Sequence, residues 1–248
     1  MIDIDLNNLP TFQVYDYHYE AWFKNIQPNG LVVNEMQRRE LVQMIDSDIA
    51  LNNEFLNLIV ANLREIDGKD SEYYTIDRVI SNALLFTTQT TADCMVACKY
   101  FLLADTDYDR RYMRGKLKVI LNEGIKKLAG FKSDKTEEKV WTSISGIMKH
   151  FPGLKYQQQF KELDALLKRH VSQSSWWKEE RDAETHLDAL EILKSRQKDL
   201  DESTVMIESL QLIEAIDAVS HFLQNLHAGL TNWLNDLYRK HPEQFIQE

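Results

Sequence analysis

Glycine and proline are scarce: the 248-residue chain has eight of the first and four of the second. Sandwiches and barrels need turn residues at short intervals, so the shortage weighs against an all-β fold and for long helices. Cysteine is scarcer still, with only Cys94 and Cys98. A disulfide-stapled scaffold is excluded, and two cysteines four apart on a helix are expected to pack as small apolar groups in a reducing compartment. No run reaches the ~18 apolar residues that a membrane helix needs, so no membrane partner is expected. The opening decapeptide, MIDIDLNNLP, is acidic where a secretory signal is basic and has no apolar stretch, so a cytoplasmic protein is expected. Positive charge is also in deficit: the net charge of −10 opposes tight binding to phosphate backbones.

Several catalytic signatures are missing as well. There is no G-x-x-x-x-G-K-[ST] and no G-x-G-x-x-G, hence no standard nucleotide cradle. There is no G-x-S-x-G elbow and no H-E-x-x-H. A ferritin-like diiron site needs Glu-x-x-His pairs on facing helices, but the residues three before His186 and His221 are Ala183 and Ala218. No cofactor is expected. "DTDYD" at 105–109 has the spacing that begins a calcium loop. Position six, however, is Arg110 rather than the glycine of the sharp turn, and position twelve is Lys116 rather than a bidentate glutamate.

What the chain does have is helical periodicity. Leu41, Met44, Ile45 and Ile49 recur at helical spacing, with Asn34 placed to cap and Gln37 three positions on. Phe55, Leu58, Ile59 and Leu63 continue the run to Gly68. Ile76, Val79, Ile80, Ala83 and Leu84 start another beyond the GKDS turn; it reaches Leu103, with a break expected near TTQTT. Residues 110–129 read as a basic amphipathic helix, TEEKVWTSISGIMKHF as a short helix stopped by Pro152 and Gly153, and 155–171 as another. Two more are expected, from the Ser174/Ser175 cap to about Lys198 and over Glu202–Arg239 with a bend near Gly229. The fold expected is all-α, a bundle of seven to eight helices. Residues 1–33, with the aromatic stretch TFQVYDYHYEAWF, read as an extended arm or irregular segment. Residues 34–248 form the helical body, and 131–135 is the alternative boundary within it.

Charge is uneven. Residues 99–135 hold ten Lys/Arg against five acids, so the segment is +5 and the rest of the chain −15. Arg110, Arg111, Arg114, Lys116 and Lys118 are therefore candidate contacts to nucleic acid; the alternative is an ordinary solvated helix face. Two Asp-x-x-x-His pairs, Asp182/His186 and Asp217/His221, each lie on one helix face. Packed antiparallel, the two helices would bring four metal ligands together, with His227 as a fifth candidate. An ordinary i,i+4 ion pair accounts for the same spacing, and no metal site is assigned on it.

The remaining chemistry lies in WWKEERDAETHLDAL, residues 176–190. Arg181, a polar residue, three more and then His186 form an R-x4-H motif. The motif resembles the signature of the HEPN superfamily (higher eukaryotes and prokaryotes nucleotide-binding), and helices over about 75–240 would form the HEPN-like part. The resemblance implies a helical bundle in which Arg181 and His186 serve metal-independent RNA cleavage at a homodimer interface, with Asp182 at the family's polar position. It also implies a setting in toxin–antitoxin or phage-defence systems, with an antitoxin protein as a partner. The chemistry is reasonable in itself. Cleavage by the RNA's own 2′-hydroxyl needs a base for that proton, which histidine supplies near neutrality. It also needs a cation on the phosphorane-like transition state, which arginine supplies bidentately. Five residues subtend about 140° on a helix, so one motif alone converges poorly and a kink or a second subunit must complete it. Trp176 and Trp177 beside the motif offer surfaces for stacking on bases, with core packing as the alternative.

Overall fold

A computed structural model describes residues 35–129, 139–173 and 202–240. Six α-helices account for nearly all of them: α1 (Glu35–Glu65), α2 (Glu72–Leu103), α3 (Asp107–Ala129), α4 (Val140–Ile147), α5 (Leu154–Gln173) and α6 (Glu202–Lys240). A single 3₁₀ turn, Met148–His150, follows α4, and the described residues contain no strand. The all-α expectation is met, with six helices among the described residues where seven to eight were expected. The aromatic arm, the Asn34 cap and the boundary at 131–135 lie outside the described residues.

α2 is the central helix, and α1, α3 and α6 pack around it. The α1–α2 turn shows how the sequence dictates the hairpin. Gly68 takes a positive φ of 72°, a backbone region where a side chain is strained. The Arg78 guanidinium donates to the carbonyls of Ile66 (3.2 Å) and Lys69 (3.0 Å), tying the turn down. Ser71 then caps α2 by accepting from the Tyr74 backbone N–H at 3.3 Å. At the next corner Thr106 and Asp109 cap each other: the Asp109 N–H donates to Thr106 Oγ1, whose hydroxyl donates to the Asp109 carboxylate at 2.6 Å. The DTDYD stretch is thus a helix start rather than a cation loop.

The break expected at TTQTT does not occur. α2 runs through it, and Thr87, Thr88, Thr90 and Thr91 are all buried. The hydroxyls of Thr87 and Thr90 donate back to carbonyls three or four residues earlier, Ala83, Leu84 and Phe86. Those bonds satisfy the hydroxyls inside the core and leave the helix intact.

One apolar core extends from Leu41 and Ile45 on α1 to Leu226 and Leu230 on α6, and it includes Trp141, Ile144 and Phe151 from the α4 region. Elements on both sides of residues 130–138 contribute to it. α5 and α6 are antiparallel neighbours. At one end the Tyr156 hydroxyl donates to the Asn225 carbonyl. Nearby, Trp141 stacks on Phe160 at 4.7 Å and both meet Phe222. The Trp141 indole N–H donates to Asp164, which meets the need of a buried indole for a partner.

Candidate functional site

The motif residues Arg181, Asp182 and His186, with Trp176 and Trp177, lie outside the described residues. The helices on either side of them do not: the chain leaves α5 at Gln173 and enters α6 at Glu202. Of the alternative metal set, Asp217 and His221 are described. Their side chains approach to 3.6 Å as an i,i+4 pair along α6. His227 does not join them: its Nε2 lies 3.2 Å from Asp77 Oδ1 on α2. Among the described residues no three His, Cys, Asp or Glu side chains gather as a ligand set.

The basic segment is less of a surface than its sequence implies. Lys118 is buried, at 6% exposure, on the face of α3 that also holds Leu117, Leu121, Asn122 and Ile125. It offers no cation to solvent. Arg110 is turned back on the helix start, donating to the Ala104 carbonyl and lying 3.9 Å from Asp107. Arg111 and Arg114 are half-buried, and only Lys116 among the five is exposed, with its ammonium 5.2 Å from the Tyr112 ring.

Two arrangements stand out that the residue types alone do not announce. The first is a polar centre where α1, α2 and α6 meet. Asp77 is buried, and its Oδ1 accepts from Asn62 Nδ2 (3.1 Å) and the Ser81 hydroxyl (3.0 Å) besides facing His227. Burial pushes the Asp77 carboxyl up, but His227, Ser81 and Asn62 together outweigh it and hold it below the usual aspartate value. Tyr73, one turn earlier, stacks near Trp233 and bonds Thr231; burial first, then the Asp77 charge, push its phenol up to about 12. The signal in the sequence is a polar pair at four-residue spacing, Asp77 and Ser81, beside the apolar pair Ile76 and Ile80.

The second is a cleft of about 440 Å³ between α5 and α6, lined by Leu166, Arg169, His170, Gln211, Glu214, Ala215 and Ala218. Its origin is side-chain size. Where Phe222 meets Phe160 and Trp141 the two helices are sealed. Further along α6 the positions that line the cleft are small, Ala218 and the buried Ala215. Burial, and then the neighbouring Arg169 guanidinium, lower the His170 pKa from the usual histidine value, so the ring is mainly neutral at neutral pH.

Against family models, curated proteins and solved structures, the chain finds no match. The reading of its function therefore rests on the chain's own residues. Also, no helix among the described residues is long and apolar enough to cross a membrane.

Proposed function

We propose that the protein is a HEPN-like, metal-independent endoribonuclease or RNA-binding protein. It would act in the cytoplasm as a homodimer of a toxin–antitoxin or phage-defence system, with an antitoxin protein as its regulator. The observation that carries the reading is the Arg181-Asp182…His186 spacing, which falls in sequence between α5 and α6 of an all-α body. In this reading His186 takes the proton of the RNA 2′-hydroxyl and the freed oxygen attacks the adjacent phosphorus. The bond to the 5′-oxygen breaks and that oxygen is protonated, leaving a cyclic phosphate. Arg181 stabilises the charge on the transition state, and Asp182 orients His186. A second subunit supplies the convergence that five residues on one helix lack. The test is cleavage of labelled RNA in the presence of EDTA. Wild type cleaves, and His186→Ala and Arg181→Ala each lose about 10²-fold or more together with any growth arrest on expression. Cleavage by both variants at the wild-type rate defeats the proposal.

A second reading, a non-catalytic interaction protein, is favoured by one observation. Val96, Tyr100 and Leu103 lie at i, i+4 and i+7 on α2 and are 38%, 54% and 44% exposed. If the two motif variants cleave as wild type while Tyr100→Asp lowers the molecular mass measured by light scattering, this reading takes over. The metal-dependent alternative built on Asp182, His186, Asp217 and His221 requires EDTA to abolish the activity.

A further inference from the structure

We propose that the cleft between α5 and α6 seats one guanine nucleotide of a single-stranded RNA, its base on Leu166 and Ala218 and its edge held by Gln211 and Glu214. The inference rests on the ribonuclease reading and gives it a substrate preference. The size is right, since sites for small ligands begin at about 300 Å³ and the cleft measures about 440 Å³. The chemistry of the lining is also right for a nucleotide. Leu166 and Ala218, both partly exposed, form an apolar floor on which a flat base loses water, with the buried Ala215 beneath it. The His170 ring adds a second flat surface, of the kind that stacks on bases. The polar groups stand at the rim on both helices: Gln211 and Glu214, one turn apart on α6, and Arg169 on α5.

Glu214 decides which base. Specific recognition of single-stranded RNA reads the Watson–Crick edge. A carboxylate only accepts hydrogen bonds, so it selects an edge that donates. Guanine presents two adjacent donors there, N1–H and the N2 amino group, which match the two carboxylate oxygens. Uracil flanks its one donor with two carbonyl oxygens that repel a carboxylate. Adenine and cytosine each place an acceptor beside their amino group. Gln211 can both donate and accept, and so can complete the guanine edge at O6.

The position joins the cleft to the motif. Arg169 and His170 stand within the last turn and a half of α5, and Arg181 follows Gln173 by eight residues, a chain reach of at most about 29 Å. An RNA strand held by one base in the cleft needs only to run on over several nucleotides to the motif, a distance which that reach allows.

The test uses the full chain and calorimetric titration with guanosine and uridine monophosphates. Guanosine monophosphate binds at least tenfold tighter than uridine monophosphate. Glu214→Gln, a substitution on an exposed residue that leaves the fold intact, removes that preference. Ala218→Leu fills the cleft and loses binding of both, with its thermal melt as the check on folding. Equal affinity for the two nucleotides, or a preference that survives Glu214→Gln, overturns the proposal. The outcomes separate from those of the ribonuclease reading. RNA cleavage that needs His186 but ignores Glu214→Gln and Ala218→Leu removes the cleft and leaves the catalyst. Guanosine monophosphate binding without RNA cleavage keeps the cleft and removes the catalyst.

Discussion

Gly124 on α3 faces Thr90 on α2 at a crossing where nothing larger than a hydrogen fits. A Cβ at Gly124 would stand 2.8 Å from Thr90 Cγ2, well inside the ~3.5–4.0 Å at which two carbons rest. Thr90 cannot easily turn aside. It is 7% exposed, and its hydroxyl donates to the Phe86 carbonyl at 2.8 Å, a bond that a change of rotamer gives up. Gly124→Ala should therefore carry an overpacking cost of about 1–3 kcal/mol. Against it stands the gain of about 1 kcal/mol from alanine over glycine inside a helix. The net is a loss of about 1 kcal/mol. Thr90→Ser removes the colliding methyl, keeps the hydroxyl bond, and should cost about 1 kcal/mol for the lost buried group. In that background Gly124→Ala should instead stabilise by up to about 1 kcal/mol. The two substitutions are then coupled by about 2 kcal/mol, within the range for residues in contact. Urea unfolding followed by helical circular dichroism measures all four corners of the cycle. If Gly124→Ala stabilises the wild-type and Thr90→Ser proteins equally, the close approach carries no energy and the reasoning is refuted.

Asp77→Ala leaves the donors of Asn62, Ser81 and His227 facing a void, and should lower the urea-unfolding free energy by about 2–4 kcal/mol. The same residue sets an acid dependence. Its folded pKa lies below the ordinary value of 3.8, so the unfolded chain takes up the proton first. The stability it contributes is present above that value and lost as pH falls through the folded one. Wild type should weaken more steeply than Asp77→Asn below about pH 4, and parallel acid limbs would refute it. Cys94 and Cys98 are fully buried, with thiols that burial pushes upward, Cys98 to about 12. At mildly alkaline pH a thiol reagent should find neither cysteine until denaturant is added, and modification at the rate of free cysteine would show that the core opens.

Much of the helical layout was legible because apolar spacing is a local signal. Ile76, Ile80, Ala83 and Leu84 announce α2 without any knowledge of its neighbours, and Pro152 and Gly153 announce the end of the α4 region. The misjudged features are those in which a polar residue finds its partner through packing. Four threonines near one position look like an interruption until their hydroxyls are given backbone carbonyls. Lys118 looks like a surface cation until the rotation of α3 is known, and that rotation is set by which of its faces meets α2. His227 looks like a further ligand beside the two Asp-x-x-x-His pairs until its neighbour is known. Its facing acid is 150 positions earlier in the chain, on a different helix. The cleft left no local trace at all, because two alanines on α6 are ordinary until α5 is seen opposite them.

That contrast also bears on where function resides. The Asp77 centre has the composition of a catalytic dyad, a buried carboxylate behind a histidine. Its donors, however, come from α1, α2 and α6, and three of them converge on one carboxylate oxygen. Such a centre fixes the axial register of three helices, because a slip of one turn would strand a buried charge, at a cost of several kcal/mol. Its polar groups are spent on one another. In the cleft between α5 and α6 Arg169 stands on one wall and Gln211 and Glu214 on the other, with Leu166 and the small Ala218 between them. A protein that needed only to hold α5 against α6 would close that gap with larger side chains, as it does at Phe160 and Phe222. Ala215 and Ala218 are the positions where a stability-driven core and a ligand-binding one diverge, and Ala218→Leu asks which of the two this interface is.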